Sequence, residues 1–199
     1  MGRITNPEFI LELQAEVEKD TFSKNTILGN SYELLHNYVE NQIIPLVHKK
    51  KVTISIVELT TCGLLSDLLT GRSGASHFFI MGIIPYHSNV KKQLKIPNEF
   101  LEYGGPGTVS PETARALAMS IRDLSGSIIG IAETGLLAST ELSKRRTHKK
   151  PGKVFLSIVS DNSCLEKQLK IQDDLPRELM RHEIAFRVLH LLKTFLERE

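Results

Sequence analysis

Two rhythms of apolar residues alternate along this chain, short β-branched runs and longer stretches at helical spacing. The run Val52 to Glu58, VTISIVE, is apolar on both faces, which predicts a strand covered by helices on either side. Before it, Leu34, Leu35, Tyr38, Val39 and Ile43 recur at helical spacing, with Asn30 as a cap and Glu33 three residues on, until Pro45 disturbs the pattern. GLLSDLL (63–69) reads as a helix, HFFIMGII (77–84) as a second strand and SNVKKQL (88–94) as a further helical start. Ser110 then caps a helix with Pro111 at its first position, and Ala114, Leu117, Ala118, Ile121 and Leu124 form one stripe. SIIGIA (127–132) and KVFLSIV (153–159) are further strands, and Pro176 opens a long terminal helix through Leu179, Leu189, Leu192 and Leu196. Strands alternate with helices, the signature of an α/β domain.

Composition narrows the picture. With 199 residues and 41% hydrophobic content the chain suits one well-buried domain. Lysine and arginine number 25 against 23 acidic residues, and a net charge of +2 argues against a dedicated nucleic-acid or membrane-surface binder. Two widely spaced cysteines, Cys62 and Cys164, form neither a metal-type pair nor a disulfide framework, which fits a reducing cytoplasm. No apolar run approaches the ~20 residues that span a bilayer. Glu8, Glu12, Glu16 and Glu18 stand where a secretory leader would be basic and then apolar. The expectation is an intracellular protein with no membrane contact.

Residues 1–30 are polar, with an amphipathic patch at Phe9, Ile10, Leu13 and Val17, and are set apart as an N-terminal extension to a domain over 31–199. The densest positive run is Lys144, Arg145, Arg146, His148, Lys149 and Lys150. A solvated, mobile loop is the default for such a run; it holds no aromatic residue to stack bases, which argues against single-stranded nucleic acid and leaves an acidic partner or phosphorylated ligand open. The seven histidines include no i, i+4 pair and no H-x-H, so no metal site is expected; His182 and His190 read as surface or interface residues. No cofactor is implied.

An ordered set of short motifs resembles the C-terminal domain of the competence/damage-inducible CinA proteins, from about Asn30 to the end of the chain. Where that family has E-S-C-T-G-G-L-L, this chain reads Glu58, Leu59, Thr60, Thr61, Cys62, Gly63, Leu64, Leu65. The family's T-x-x-x-G-A-S-x-x-F is present as Thr70, Gly74, Ala75, Ser76 and Phe79, and its G-x-x-x-Y-S-N-x-x-K resembles Gly82, Tyr86, Ser88, Asn89 and Lys91. Gly107, Val109, Ser110 and Ala114 follow the family's G-x-V-S-x-x-x-A, Thr134 and Gly135 its T-G, and Arg177 and Arg181, with Ala185 one position further on, resemble its terminal R-x-x-x-R-x-x-A. The resemblance implies a three-layer α/β/α single domain with a mixed sheet, a homodimer, and a pocket for a nucleotide-like ligand. Active members of the family are nicotinamide mononucleotide deamidases.

The departures fall on the chemistry. The resemblance puts the nucleophilic serine at Leu59, its lysine base at Lys91 and the motif tyrosine at Tyr86, with His87 beside them. The glycine-rich A-G-P-x-G-G loop has become Leu136, Leu137, Ala138 and Ser139, and K-P-V-G is reduced to Lys150, Pro151, Gly152. Ser–Lys chemistry needs a lysine desolvated enough to be neutral and within hydrogen-bond reach of the oxygen. Thr60 points to the opposite face of the strand, and Thr61 lies ~6.6 Å beyond Leu59, whereas catalytic placement tolerates about 0.5 Å. Cys62 is the one substitute nucleophile, because a thiol at a helix N-terminus can have a lowered pKa; the reading that leads, however, is a small buried thiol in a glycine's place. Glu58, Thr61, Gly63, Ser88, Asn89, Thr134 and Gly135 are the expected ligand-binding positions, the Thr61 to Gly63 turn offering free N–H groups to a phosphate.

Three readings follow. In the first, the protein is a catalytically impaired descendant of nicotinamide mononucleotide deamidase that binds a nucleotide-like or phosphorylated ligand. A second makes it an active amidohydrolase using Lys91 with Cys62 or with water. In the third it is a structural or interaction protein whose pocket Leu59 and Leu136 close.

Overall fold

The computed structural model describes residues 24–94, 96–101, 105–137, 151–171 and 175–199, with side chains from residue 31 onward. The basic run at 144–150, Ala138, Ser139 and the amphipathic patch at 9–17 lie outside the described residues.

Helix α1 (Lys24–Tyr38) begins before Asn30, so Asn30 lies inside the helix and does not cap it. The helical path also survives Pro45. A π turn over Val39–Ile43 re-spaces the hydrogen bonds, and Pro45 falls in the first turn of α2 (Ile44–Lys50), where a missing N–H costs no helical bond.

Five strands form one sheet in the order β2-β1-β3-β4-β5. β1 (Ile54–Glu58) is buried at every position and pairs in parallel with β2 (Phe79–Ile83) and with β3 (Ile129–Leu136). β3 pairs antiparallel with β4 (Lys153–Val159), and β4 antiparallel with β5 (Cys164–Lys170). The four expected strands are present, and the sheet is mixed. β5 was not expected, because its exposed positions carry Glu166, Lys167 and Lys170, the charged composition of a protected sheet edge and not of an apolar strand.

Between β1 and β2 lie α3 (Leu64–Thr70) and a 3₁₀ turn (Ala75–His77). Between β2 and β3 come α4 (Ser88–Gln93), α5 (Asn98–Leu101) and α6 (Pro111–Ser125), and α7 (Arg177–Arg198) follows the sheet. Ser110 caps α6 by accepting the Thr113 N–H at 3.1 Å, as expected.

Alternation along β1 separates two apolar layers. Ile54 and Ile56 join α1, α2, α3 and α7 in the larger cluster, while Val57 and Leu59 join Leu117, Ala118 and Ile121 of α6 in the smaller. Helix α6 lies so close on β3 that a Cβ at Gly130 would stand 2.1 Å from the Ala118 carbonyl oxygen.

Met180, Ile184, Phe186 and Val188 of α7 are all buried, and Leu191 packs against the same cluster. Helices α1 and α2 cover this apolar face within the chain. Among the described residues no helix is long and apolar enough to cross a membrane.

Candidate functional site

The connection leaving β1 runs toward β2, while β3 lies on β1's other side, so chain direction diverges between the carboxyl ends of β1 and β3. Open α/β sheets bind ligands at such a point. Here the ends of both strands are polar: Glu58, Thr60 and Thr61 on one, Glu133 and Thr134 on the other, all buried.

Glu58 and Glu133 are register partners across β1 and β3, and neither is exposed. Glu133 Oε1 accepts the N–H groups of Leu59 at 2.9 Å, Thr60 at 2.8 Å and Thr61 at 2.9 Å, and the Thr61 hydroxyl at 2.8 Å. Its Oε2 accepts the Thr60 hydroxyl and, at 3.0 Å, the Thr60 N–H. Burial pushes the Glu133 carboxyl above its usual range, and the Thr60 and Thr61 donors offset only part of that rise. Glu58 Oε2 accepts the N–H groups of Gly63 at 2.9 Å and Leu65 at 3.0 Å, and Oε1 accepts the Ser66 N–H at 2.9 Å and its hydroxyl at 2.6 Å. Of the N–H groups expected to hold a phosphate, those of Thr61 and Gly63 are bound by the chain's own carboxylates. Thr61 and Gly63 belong to the frame of the turn, Gly63 is the N-cap of α3, and the Glu58 carboxylate accepts N–H groups at the start of that helix.

The turn is fixed from outside by Arg181, whose Nε donates to the Thr61 carbonyl at 2.9 Å and whose guanidinium also reaches the Cys62 carbonyl at 3.3 Å. Cys62 has φ 51° and Gly63 φ 97°, so the cysteine occupies a left-handed conformation that favours glycine. Its Sγ contacts the Leu59 carbonyl oxygen at 3.5 Å. Burial pushes the thiol pKa up, with the Arg181 charge offsetting only part of the rise, which is opposite to what a nucleophile needs.

Beside the turn lies a cleft of about 220 Å³ lined by Leu59, Thr60, Tyr86, Lys91, Thr134 and Arg177 among others, closed by Thr108, Val109 and residues 135–137. Lys91 is 4% exposed, its Nζ donates to the Tyr86 carbonyl oxygen at 3.1 Å, and burial lowers its pKa. The short helix α4 delivers it. Tyr86 is exposed, and its hydroxyl accepts from Arg177 at 3.4 Å. The Thr134 hydroxyl donates to the Thr108 carbonyl at 2.6 Å, and Gly135 lets Val154 and Thr60 pack where a Cβ would clash.

Leu59, at 8% exposure, is anchored in the α6 cluster while also forming part of the cleft wall. The structure thus brings Tyr86, Lys91, Thr134 and Gly135 together. Ser88 and Asn89 are exposed on α4 and do not line the cleft, and Cys62 does not line it either.

A larger concavity of about 740 Å³ lies between Leu94, Pro97, Phe100 and the outer face of α6. It holds no buried ionisable group, whereas the smaller cleft holds Lys91. His182, expected at the surface or an interface, is partly buried and bonded to Ser31 at 2.6 Å, whereas His190 is exposed. Among the described residues no cluster of three or more His, Cys, Asp or Glu suits a metal ion.

Glu133 and Arg177 were not read as site residues from the sequence. A lone acidic residue inside the apolar run IGIAETG was the available signal for the first, since a buried charge demands donors.

A three-layer α/β/α domain with a polar cleft at the divergent strand ends defines the class. The family model of the CinA C-terminal domain matches residues 36–196, and the chain belongs to that family. A competence-damage inducible protein of Desulforudis audaxviator is 30% identical over 191 residues, covering 94% of this chain and 44% of the relative. One from Bacillus cereus (strain AH187) is 38% identical over 131 residues, covering 65% of this chain and 29% of the relative. The chain spans less than half the length of these relatives. Among solved structures, the competence/damage inducible protein CihA of Agrobacterium tumefaciens aligns with a TM-score of 0.68 and 25% identity over 84% of this chain and 96% of that one. The competence damage-inducible protein A of Klebsiella pneumoniae aligns at 0.70 and 18% identity, over 84% and 97%.

Proposed function

We propose that this CinA C-terminal domain binds a compact phosphorylated or nucleotide-like molecule in the Lys91 cleft and does not hydrolyse nicotinamide mononucleotide. The observation that carries the reading is the meeting of Lys91 and Leu59 in one cleft. The position of the family's base keeps a buried, pKa-lowered lysine, while the position of its nucleophile presents an alkyl group with no attacking atom. Neighbouring hydroxyls do not replace it. Thr60 gives its proton to Glu133 and Thr134 to the Thr108 carbonyl.

The cations lining the cleft are Lys91 and Arg177, and among the described residues no carboxylate lines it, which favours an anionic ligand.

The reading in which Cys62 attacks is disfavoured by its upward-shifted thiol and its place outside the cleft lining. A water activated by Lys91 is the remaining hydrolytic route. Ammonia release from nicotinamide mononucleotide tests the proposal. The expected result is no release above background; steady release that disappears in Lys91→Ala would overturn it.

A further inference from the structure

We propose that the Glu133 carboxyl fills a backbone nest at the end of β1, and that this nest is a latent site for a small carboxylate or similar oxyanion. Three consecutive N–H groups, those of Leu59, Thr60 and Thr61, converge on one carboxylate, joined by the hydroxyls of Thr60 and Thr61. Successive N–H groups that converge in this way form an anion-binding concavity. Thr60, Thr61 and Glu133 are all buried, and among the described residues no lysine or arginine forms a salt bridge with Glu133. Arg181 binds the opposite, carbonyl side of the turn. The carboxylate is held by backbone dipoles and hydroxyls, the arrangement an external anion would need.

The placement has a chemical consequence. In acyl transfer, the N–H groups at and just after the nucleophile commonly stabilise the oxyanion. At this strand end those groups belong to Leu59 and Thr60, and Glu133 holds both. Loss of the attacking atom at position 59 is therefore accompanied by occupation of the donors beside it. This inference rests on the β1 turn alone and holds whether or not the Lys91 cleft takes a ligand. Thr60 lines the cleft and donates its hydroxyl to Glu133, so it is the residue shared by the cleft wall and the nest.

Thermal unfolding of Glu133→Ala in sodium formate or acetate, against sodium chloride at equal ionic strength, tests the proposal. The variant should melt below wild type in chloride and gain about 3–6 °C in formate or acetate at ten times the dissociation constant, while wild type does not respond. Should the variant be unfolded in chloride, formate or acetate should restore the folded signal. Glu133→Gln fills the same volume, so it should melt lower than wild type without responding to the anions. An alanine variant that responds no more to formate and acetate than to chloride overturns the proposal, as does an equal response in wild type or in Glu133→Gln.

Discussion

Glu58 and Glu133 stand side by side on parallel strands, and each binds three backbone N–H groups of the segment from Leu59 to Ser66. The Thr61 hydroxyl lies between them, 2.7 Å from one carboxylate and 2.8 Å from the other. The turn at the candidate site is thus shaped by internal acids before any ligand arrives. Glu58→Ala would leave the Gly63, Leu65 and Ser66 N–H groups without their acceptor, at a cost of about 3–5 kcal/mol. Urea unfolding should show the midpoint falling with unchanged slope. A loss under about 1 kcal/mol would mean that water replaces the carboxylate freely.

Restoring the hydroxyl alone should not restore hydrolysis. In Leu59→Ser the Leu59 and Thr60 N–H groups remain bound to Glu133, and the variant also loses apolar burial in the α6 cluster worth about 2–3 kcal/mol. The expected outcome is a less stable protein with no more ammonia release than wild type. Turnover in the single variant would show that Glu133 does not obstruct the donors.

Stability should fall in acid through His182. Its pKa is lowered from 6.5 to about 4, first by burial and then by the Arg181 charge, with Glu178 opposing. The folded state disfavours the charged ring, so this contribution is complete above pH 6.5 and is lost as pH falls toward 4. Discounting for partial exposure, the loss is about 2 kcal/mol by pH 4. Urea unfolding at pH 7 and pH 4.5 should reveal it. A His182→Asn variant should be flatter over the same range, and an equal slope in both proteins would remove His182 from the account.

The two cysteines should differ in reactivity. Cys164 is exposed, whereas burial raises the Cys62 thiol pKa. With a disulfide reagent at neutral pH, one thiol should react at an ordinary exposed rate and the other much more slowly, the slow phase vanishing in Cys62→Ala. A fast phase assigned to Cys62 would revive the cysteine nucleophile.

Much of this architecture was legible in the residues. Period-2 and doubly buried apolar runs marked β1 to β4, and the Ser110–Pro111 start marked α6, because in each a local signal agreed with its tertiary setting. β5 escaped because its side chains face solvent along a charged edge. Helices α1 and α2 cover the broad apolar face of α7, a long-range contact that no local pattern marks. In the site, motif order located Lys91 and Tyr86, but the partners of Glu58 and Glu133 depend on strand register, and that pairing turned an expected phosphate loop into an internally capped one.

The central claim is a cleft that recognises an anion through Lys91 after losing the attacking group. Its most direct test is the melting temperature of wild type and Lys91→Met across a titration of nicotinamide mononucleotide, with other mononucleotides and sugar phosphates as parallel probes. At about one hundred times its dissociation constant a ligand adds ~2.7 kcal/mol of stability, a shift of several degrees. The account predicts such a shift for at least one probe in wild type and its loss in Lys91→Met. No shift from any probe at millimolar concentration, or a shift that persists unchanged in the variant, would contradict it.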